Sequence, residues 1–94
     1  MTTTLITGCS TGIGLASAVH LATRGHTVYA SMRNAANCQE LLSAAKEAGV
    51  EVTVLPLDVD SSDSIRDGVE RVISEAGRVD VLVNNAGLGD LWAI

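Results

Sequence analysis

The chain has 94 residues and a mass of 9.7 kDa, which allows one small domain and no second one. Its 6 Lys and Arg against 11 Asp and Glu give a formal charge of −5 and an isoelectric point near 4.7, which argues against nucleic acid or an anionic membrane surface as the main partner. A domain this small buries only about two-thirds of its unfolded surface, so the 47% of apolar residues is what a stable core requires.

The start, Met1-Thr2-Thr3-Thr4, has neither the basic flank nor the apolar run of a signal peptide, and no stretch of about 18 apolar residues follows. The expectation is a cytoplasmic protein without a membrane span. Cys9 and Cys38 form no CxxC pair and fall in a loop and a helix, which favours reduced or buried thiols over a disulfide or a metal site.

In chain order, Thr4 to Ile6 reads as a short apolar strand that runs into Thr7-Gly8-Cys9-Ser10-Thr11-Gly12-Ile13-Gly14 and then into a helix. Each glycine has its own use in a nucleotide-phosphate cradle. Gly8 lets the chain turn off the strand, Gly12 removes a Cβ where backbone meets diphosphate, and Gly14 lets helix and strand pack closely. The helix then aims its free N–H groups and the positive end of its dipole at the anion. A strand-to-helix turn with glycines for conformation alone is the rival, and the surrounding pattern decides against it.

The helix from Ile13 to Arg24 carries small or apolar residues on nearly every side, so it is packed rather than solvated. Gly25 ends it, and His26 to Met32 reads as a second buried strand. Asn34 is a candidate N-cap for a second helix with Cys38, Leu41, Leu42, Ala45 and Ala48 at helical spacing, ended by Gly49. Val50 to Leu57 is a third strand, in which Pro56 demands either a sheet edge or a position at the strand's exit. Asp60 or Ser61 caps a third helix whose apolar stripe is Ile65, Val69, Val72, Ile73 and Ala76, with Asp67, Glu70, Arg71 and Glu75 outside. After Gly77 comes a fourth strand, Val79 to Asn84, then Asn85-Ala86-Gly87 and a tail, Leu88 to Ile94. This β-α-β-α-β-α-β alternation implies an α/β fold with a parallel sheet wound by right-handed crossovers; the expected architecture is three-layer αβα with strand order 3-2-1-4, and the placement of Pro56 agrees with an outermost third strand.

Three motifs together resemble the short-chain dehydrogenase/reductase family. Thr7 to Gly14 is similar to its TGxxxGIG cofactor loop, Leu57-Asp58-Val59 to its adenine-side aspartate, and Asn84-Asn85-Ala86-Gly87 to its NNAG segment. The glycine spacing, three residues and then one, differs from the one-and-two spacing of other Rossmann proteins. The resemblance implies a Rossmann-type, doubly wound fold and an NAD(P)-dependent oxidoreductase that interconverts an alcohol and a carbonyl by hydride transfer. Ser10 and Thr11 offer hydroxyls to phosphate or ribose oxygens, or serve turn chemistry alone. Ile13 is expected to give a backbone N–H, Asp58 to accept the adenine amino group, and Val59 to pack on the ring. One of Asn84 and Asn85 is expected to fix the central strand's exit by side-chain to backbone bonds. By resemblance, Asn85 lines the cofactor site with Ala86 and Gly87.

Arg33 stands 19 residues after Gly14. An acidic residue about there suits the 2′-hydroxyl of NAD, whereas an arginine suits the 2′-phosphate of NADP. A planar guanidinium binds phosphate through two N–H groups, and no carboxylate stands at Ser31, Met32 or Asn34. NADP is therefore the favoured cofactor and NAD the alternative; a merely solvated arginine is the bland reading of Arg33.

The family's chemistry uses a Tyr with a Lys four residues on, together with a Ser. Tyr29 is followed four residues later by Arg33, and the single lysine, Lys46, belongs to the second helix. No catalytic residue is assigned, and residues 1–94 are expected to be the N-terminal, incomplete portion of an NAD(P)-binding domain, inactive alone. The full-length enzyme is expected to act on a small-molecule alcohol or carbonyl compound and to be a homo-oligomer. A stand-alone nucleotide-binding or regulatory module is the alternative. A P-loop is excluded because Ile13, not Lys, follows Gly12, and Arg33 stands where a Rossmann methyltransferase wants an acid.

Overall fold

A computed structural model describes residues 2–9 and 12–84. Four parallel strands, β1 (Thr3–Ile6), β2 (Thr27–Met32), β3 (Thr53–Pro56) and β4 (Val81–Val83), form one sheet in the order β3-β2-β1-β4. The order is the expected one. It follows from successive crossovers that wind outward from β1 to β3 and then return across β1 to β4. Tyr29 lies opposite Leu5 on one side and Thr53 on the other, while Leu82 lies opposite Leu5.

Strand alternation divides the core between the two faces of the sheet. Helices α1 (Gly12–Thr23) and α2 (Gln39–Ala48) cover the face that carries Ile6, Val28, Ala30 and Met32, where Ala18 and Leu41 are fully enclosed. Helix α3 (Ser62–Ala76) covers the other face, closing Val72 over Leu5, Tyr29, Leu55 and Leu57. Burying a leucine or isoleucine side chain of this kind stabilises the fold by about 1.5–3 kcal/mol. None of the helices among the described residues is long and apolar enough to cross a membrane.

Several boundaries differ from the sequence expectation, each for a local reason. The Asn34 side chain does accept an N–H, but from Ala36, and it caps a 3-10 turn at Ala35–Asn37. Helix α2 begins only at Gln39, so Cys38 occupies its N-cap position and not its first turn. Leu41 and Ala45 are buried while Leu42 is exposed, which narrows the expected stripe. In α3 the residues pressed to the sheet are Gly68 and Val72, one turn apart; Ile65 and Ile73 lie at the flanks and stay exposed. Ser61, not Asp60, caps α3 by accepting the Ser64 N–H at 3.2 Å. Strand β3 starts late because the Val50 N–H turns back to the Ala45 carbonyl at the end of α2. Pro56 satisfies both alternatives offered for it, being the last residue of an edge strand.

The start of β4 is tied to β1 by Asp80. Its Oδ2 accepts the Thr3 N–H at 2.8 Å and Arg78 Nε at 2.9 Å, and its own N–H donates to the Thr3 carbonyl. The Thr3 N–H first, and Arg78 second, hold the Asp80 carboxyl below the usual carboxylate range. The stabilisation is present above that range and is lost as the pH falls through the lowered value. The other strand edge is different in character: β4 pairs with β1 alone among the described residues, and its Val81 and Leu82 are exposed.

Candidate functional site

All four strands run the same way, so the residues that follow their carboxyl ends gather on one side of the sheet. The winding reverses between β1 and β4, and in open α/β sheets such a reversal leaves a crevice where ligands bind. At its mouth the chain leaves β1 through Thr7, whose N–H donates to the Val83 carbonyl at 3.0 Å and whose hydroxyl donates to Asn84 Oδ1 at 3.2 Å. Asn84 thus does hold the strand exit, through a side-chain to side-chain bond where a side-chain to backbone bond was expected.

Gly8 and Gly12 have φ of 70° and 66°, the left-handed region that side chains disfavour. Between them, Cys9 locks the turn from below. Its N–H donates to the Ser31 carbonyl at 3.0 Å, and both its thiol and the Ser31 hydroxyl donate to the Ile6 carbonyl, at 3.3 and 3.0 Å. Gly12 opens α1, the first turn of which contains no acidic residue. A Cβ built on Gly12 meets nothing within 4 Å among the described residues, chain neighbours aside, whereas Gly14 is buried in the helix. Ile13 projects outward with 73% of its surface exposed. Ser10, Thr11, Asn85, Ala86 and Gly87 lie outside the described residues.

Burial pushes the Cys9 thiol up to about 11, against a smaller opposing effect of its backbone bond with Ser31. A thiol that remains protonated and enclosed is a poor nucleophile. In a native sample at pH 8, iodoacetamide is therefore expected to label the half-buried Cys38 while Cys9 stays unmodified. Intact-mass and peptide analysis checks this, and equal labelling of both cysteines would contradict the enclosed turn.

The second group of site residues lies at the ends of β2 and β3. The Arg33 guanidinium, 69% exposed, reaches across to the β3 exit, where Nη2 lies 2.7 Å from Asp60 Oδ2 and 3.4 Å from Asp58 Oδ1. Along the chain no carboxylate stands beside Arg33 at Ser31, Met32 or Asn34, and these two partners are invisible in that local pattern. They come from 25 and 27 residues further on, brought close because Met32 and Pro56 are ladder partners. Asp58 is also built into the turn, accepting the Asp60 N–H, while its own N–H donates to the Ser64 hydroxyl. Val59 is half-buried against the α3 side and lines an apolar hollow of about 140 Å3 with Thr7, Ile65, Leu82 and Asn84 among its other walls. Arg33 and Asp58 also border a cavity of about 500 Å3 along β3 and α3 that, among the described residues, includes none of the glycine loop.

Tyr29 faces α3, on the side of the sheet opposite the glycine-led helix, and its hydroxyl donates to Glu75 Oε1 at 3.0 Å. Burial, then this bond, raise its pKa.

The profile of the short chain dehydrogenase family matches residues 2–93. The chain belongs to that family. Among its relatives, retinol dehydrogenase 8 of Homo sapiens is 46% identical over 91 residues, spanning 93% of this chain and 28% of the relative. An actinorhodin polyketide ketoreductase variant solved with NADPH superposes with a TM-score of 0.83 at 40% identity, covering 92% of this chain and 33% of that one. NAD+-bound xylitol dehydrogenase gives 0.81 at 32% identity, with 92% and 33% covered. The chain spans between 27 and 34% of the length of the curated relatives compared. The parallel sheet order seen here matches that of solved short-chain dehydrogenases, and the Rossmann-type fold expected from the motifs is the one observed.

Proposed function

We propose that this chain supplies the dinucleotide-binding half of an NAD(P)-dependent alcohol or carbonyl oxidoreductase, with NADP as the preferred cofactor. The observation that carries the reading is the left-handed backbone at Gly8 and at Gly12, beside the sheet's reversal point, with open space over Gly12 among the described residues and a helix start without acidic residues behind it. That open space fits a diphosphate, which a Cβ there would push away. In this reading Gly8, Gly12, Ile13 and Gly14 shape the cradle with Ser10 and Thr11. Arg33 takes the 2′-phosphate, Asp58 and Val59 meet the adenine, and Asn85, Ala86 and Gly87 border the cofactor beyond β4. Bound there, the cofactor supplies a hydride donor or acceptor for a carbonyl or alcohol carbon. The chain's own part is to bind and orient it.

Arg33 favours NADP because its guanidinium is exposed, planar and able to offer paired N–H groups to a phosphate. Related structures hold either NADPH or NAD+, so the preference rests on this residue. Replacing Arg33 by Asp is expected to weaken NADPH binding about 100-fold or more and to leave NADH binding within a few-fold, since loss of a charge-assisted phosphate bond and gain of a repelling charge both act on the phosphate alone. Dissociation constants for the two cofactors measure this. Unchanged NADPH preference in the variant would overturn the assignment.

The substrate proposed is a lipophilic alcohol or its carbonyl counterpart, by analogy with the relatives named retinol dehydrogenase 8 and, in Rattus norvegicus, estradiol 17-beta-dehydrogenase 1.

A further inference from the structure

We propose that Asp60 sets the strength of the cofactor preference, by holding the Arg33 guanidinium that the 2′-phosphate must claim. The inference rests on the reading of Arg33 just given. The shorter of the two ion-pair contacts belongs to Asp60, at 2.7 Å, and both its side chain and that of Arg33 are largely exposed, at 75 and 69%. Asp58, at 3.4 Å, is committed to the β3 turn through the Asp60 N–H, whereas the Asp60 carboxylate is free of any capping duty because Ser61 caps α3.

A phosphate arriving at Arg33 meets a guanidinium already facing a carboxylate. It must share or displace that contact and then sit close to a like charge. Both effects weaken binding of the 2′-phosphate and neither touches a cofactor with a neutral 2′-hydroxyl. An exposed ion pair changes such an equilibrium by no more than about five-fold, because water screens it and two long side chains lose freedom in forming it. The effect is therefore a tuning of selectivity, not a switch. It should also weaken as salt rises, since the charges involved face solvent.

The test compares Asp60→Asn with the unmodified protein by titration with NADPH and with NADH, and repeats both in an Arg33→Ala background. Asp60→Asn is expected to tighten NADPH about two- to five-fold at low ionic strength, to leave NADH unchanged, and to lose most of this gain when Arg33 is absent. Because Asp60 is exposed, the melting temperature should stay the same, and Asp60→Ala provides a second variant without the residual amide. Unchanged or weaker NADPH binding in Asp60→Asn, with Arg33→Ala still damaging, would overturn the inference while sparing the role of Arg33. If Arg33→Ala binds NADPH like the unmodified protein, the assignment of Arg33 fails and takes the inference with it.

Discussion

Replacing Gly12 by valine is expected to reduce NADPH affinity on the order of 100-fold or more while leaving the domain folded. Two effects compete in this variant. The left-handed backbone at Gly12, φ 66°, costs a side chain about 1–2 kcal/mol, more for a β-branched one. Among the described residues, chain neighbours aside, nothing stands within 4 Å of the added Cβ, so no packing penalty from them joins that strain. A domain of this size, at the lower end of the usual 5–15 kcal/mol, survives it. The cofactor does not fare as well, because the valine fills the space a diphosphate would occupy and moves it away from the helix N–H groups. Losing two charge-assisted hydrogen bonds at about 1.5–3 kcal/mol each corresponds to 100-fold or more in affinity. Calorimetric titration with NADPH beside a thermal melt separates the two effects. A variant that melts early and binds normally would show that Gly12 serves only the turn.

The second large effect concerns α3. A Cβ at Gly68 would lie 2.6 Å from Leu57 Cδ1, 3.4 Å from Leu57 Cγ and 3.6 Å from Leu55 Cδ2. Both leucines are almost fully enclosed, at 2 and 4% exposure. Alanine at Gly68 gains about 1 kcal/mol of helix propensity against roughly 1–3 kcal/mol of overpacking, so its net cost is small. Valine adds two further methyl groups to the same collision and forgoes part of the propensity gain. Gly68→Val should therefore cost about 3 kcal/mol or more, lowering the melting temperature by at least about 12 °C at this chain length. Shortening the opposing side chain, as in Gly68→Val with Leu57→Ala, should lose less than the two single changes added together. A Gly68→Val protein that melts like the original would mean that α3 does not rest on β3 at this distance.

Gly68 also marks the limit of what the sequence discloses. Periodicity found α3 and its general orientation through Val69, Val72 and Ala76, but a count of apolar residues gives weight to Ile65 and Ile73 and none to a glycine. At Gly68 the helix lies close over Leu55 and Leu57 where a side chain is missing, and no hydrophobic pattern records that. The parallel sheet, by contrast, was legible in the alternation of strands and helices, and Pro56, which only an edge or an exit can accommodate, agreed with the order observed. Gly8 was legible as a turn glycine and takes left-handed φ; Gly12, read only as sparing a Cβ beside the diphosphate, takes left-handed φ as well. Arg33 was visible as a cation at a strand end, yet its partners were not, because contact with Asp58 and Asp60 depends on the β2–β3 register and on the turn after β3. Local spacing also overextended the second helix: Asn34 is a good cap, but of a short 3-10 turn that precedes α2.

The central claim is that the Gly8–Gly12 turn and Arg33 together hold a phosphorylated nicotinamide dinucleotide, and the direct measurement is a titration of the folded protein with NADPH and, separately, with NADH. Saturable binding of both, with NADPH the tighter, is the predicted result. A sample with a cooperative thermal transition that binds neither cofactor would contradict the account.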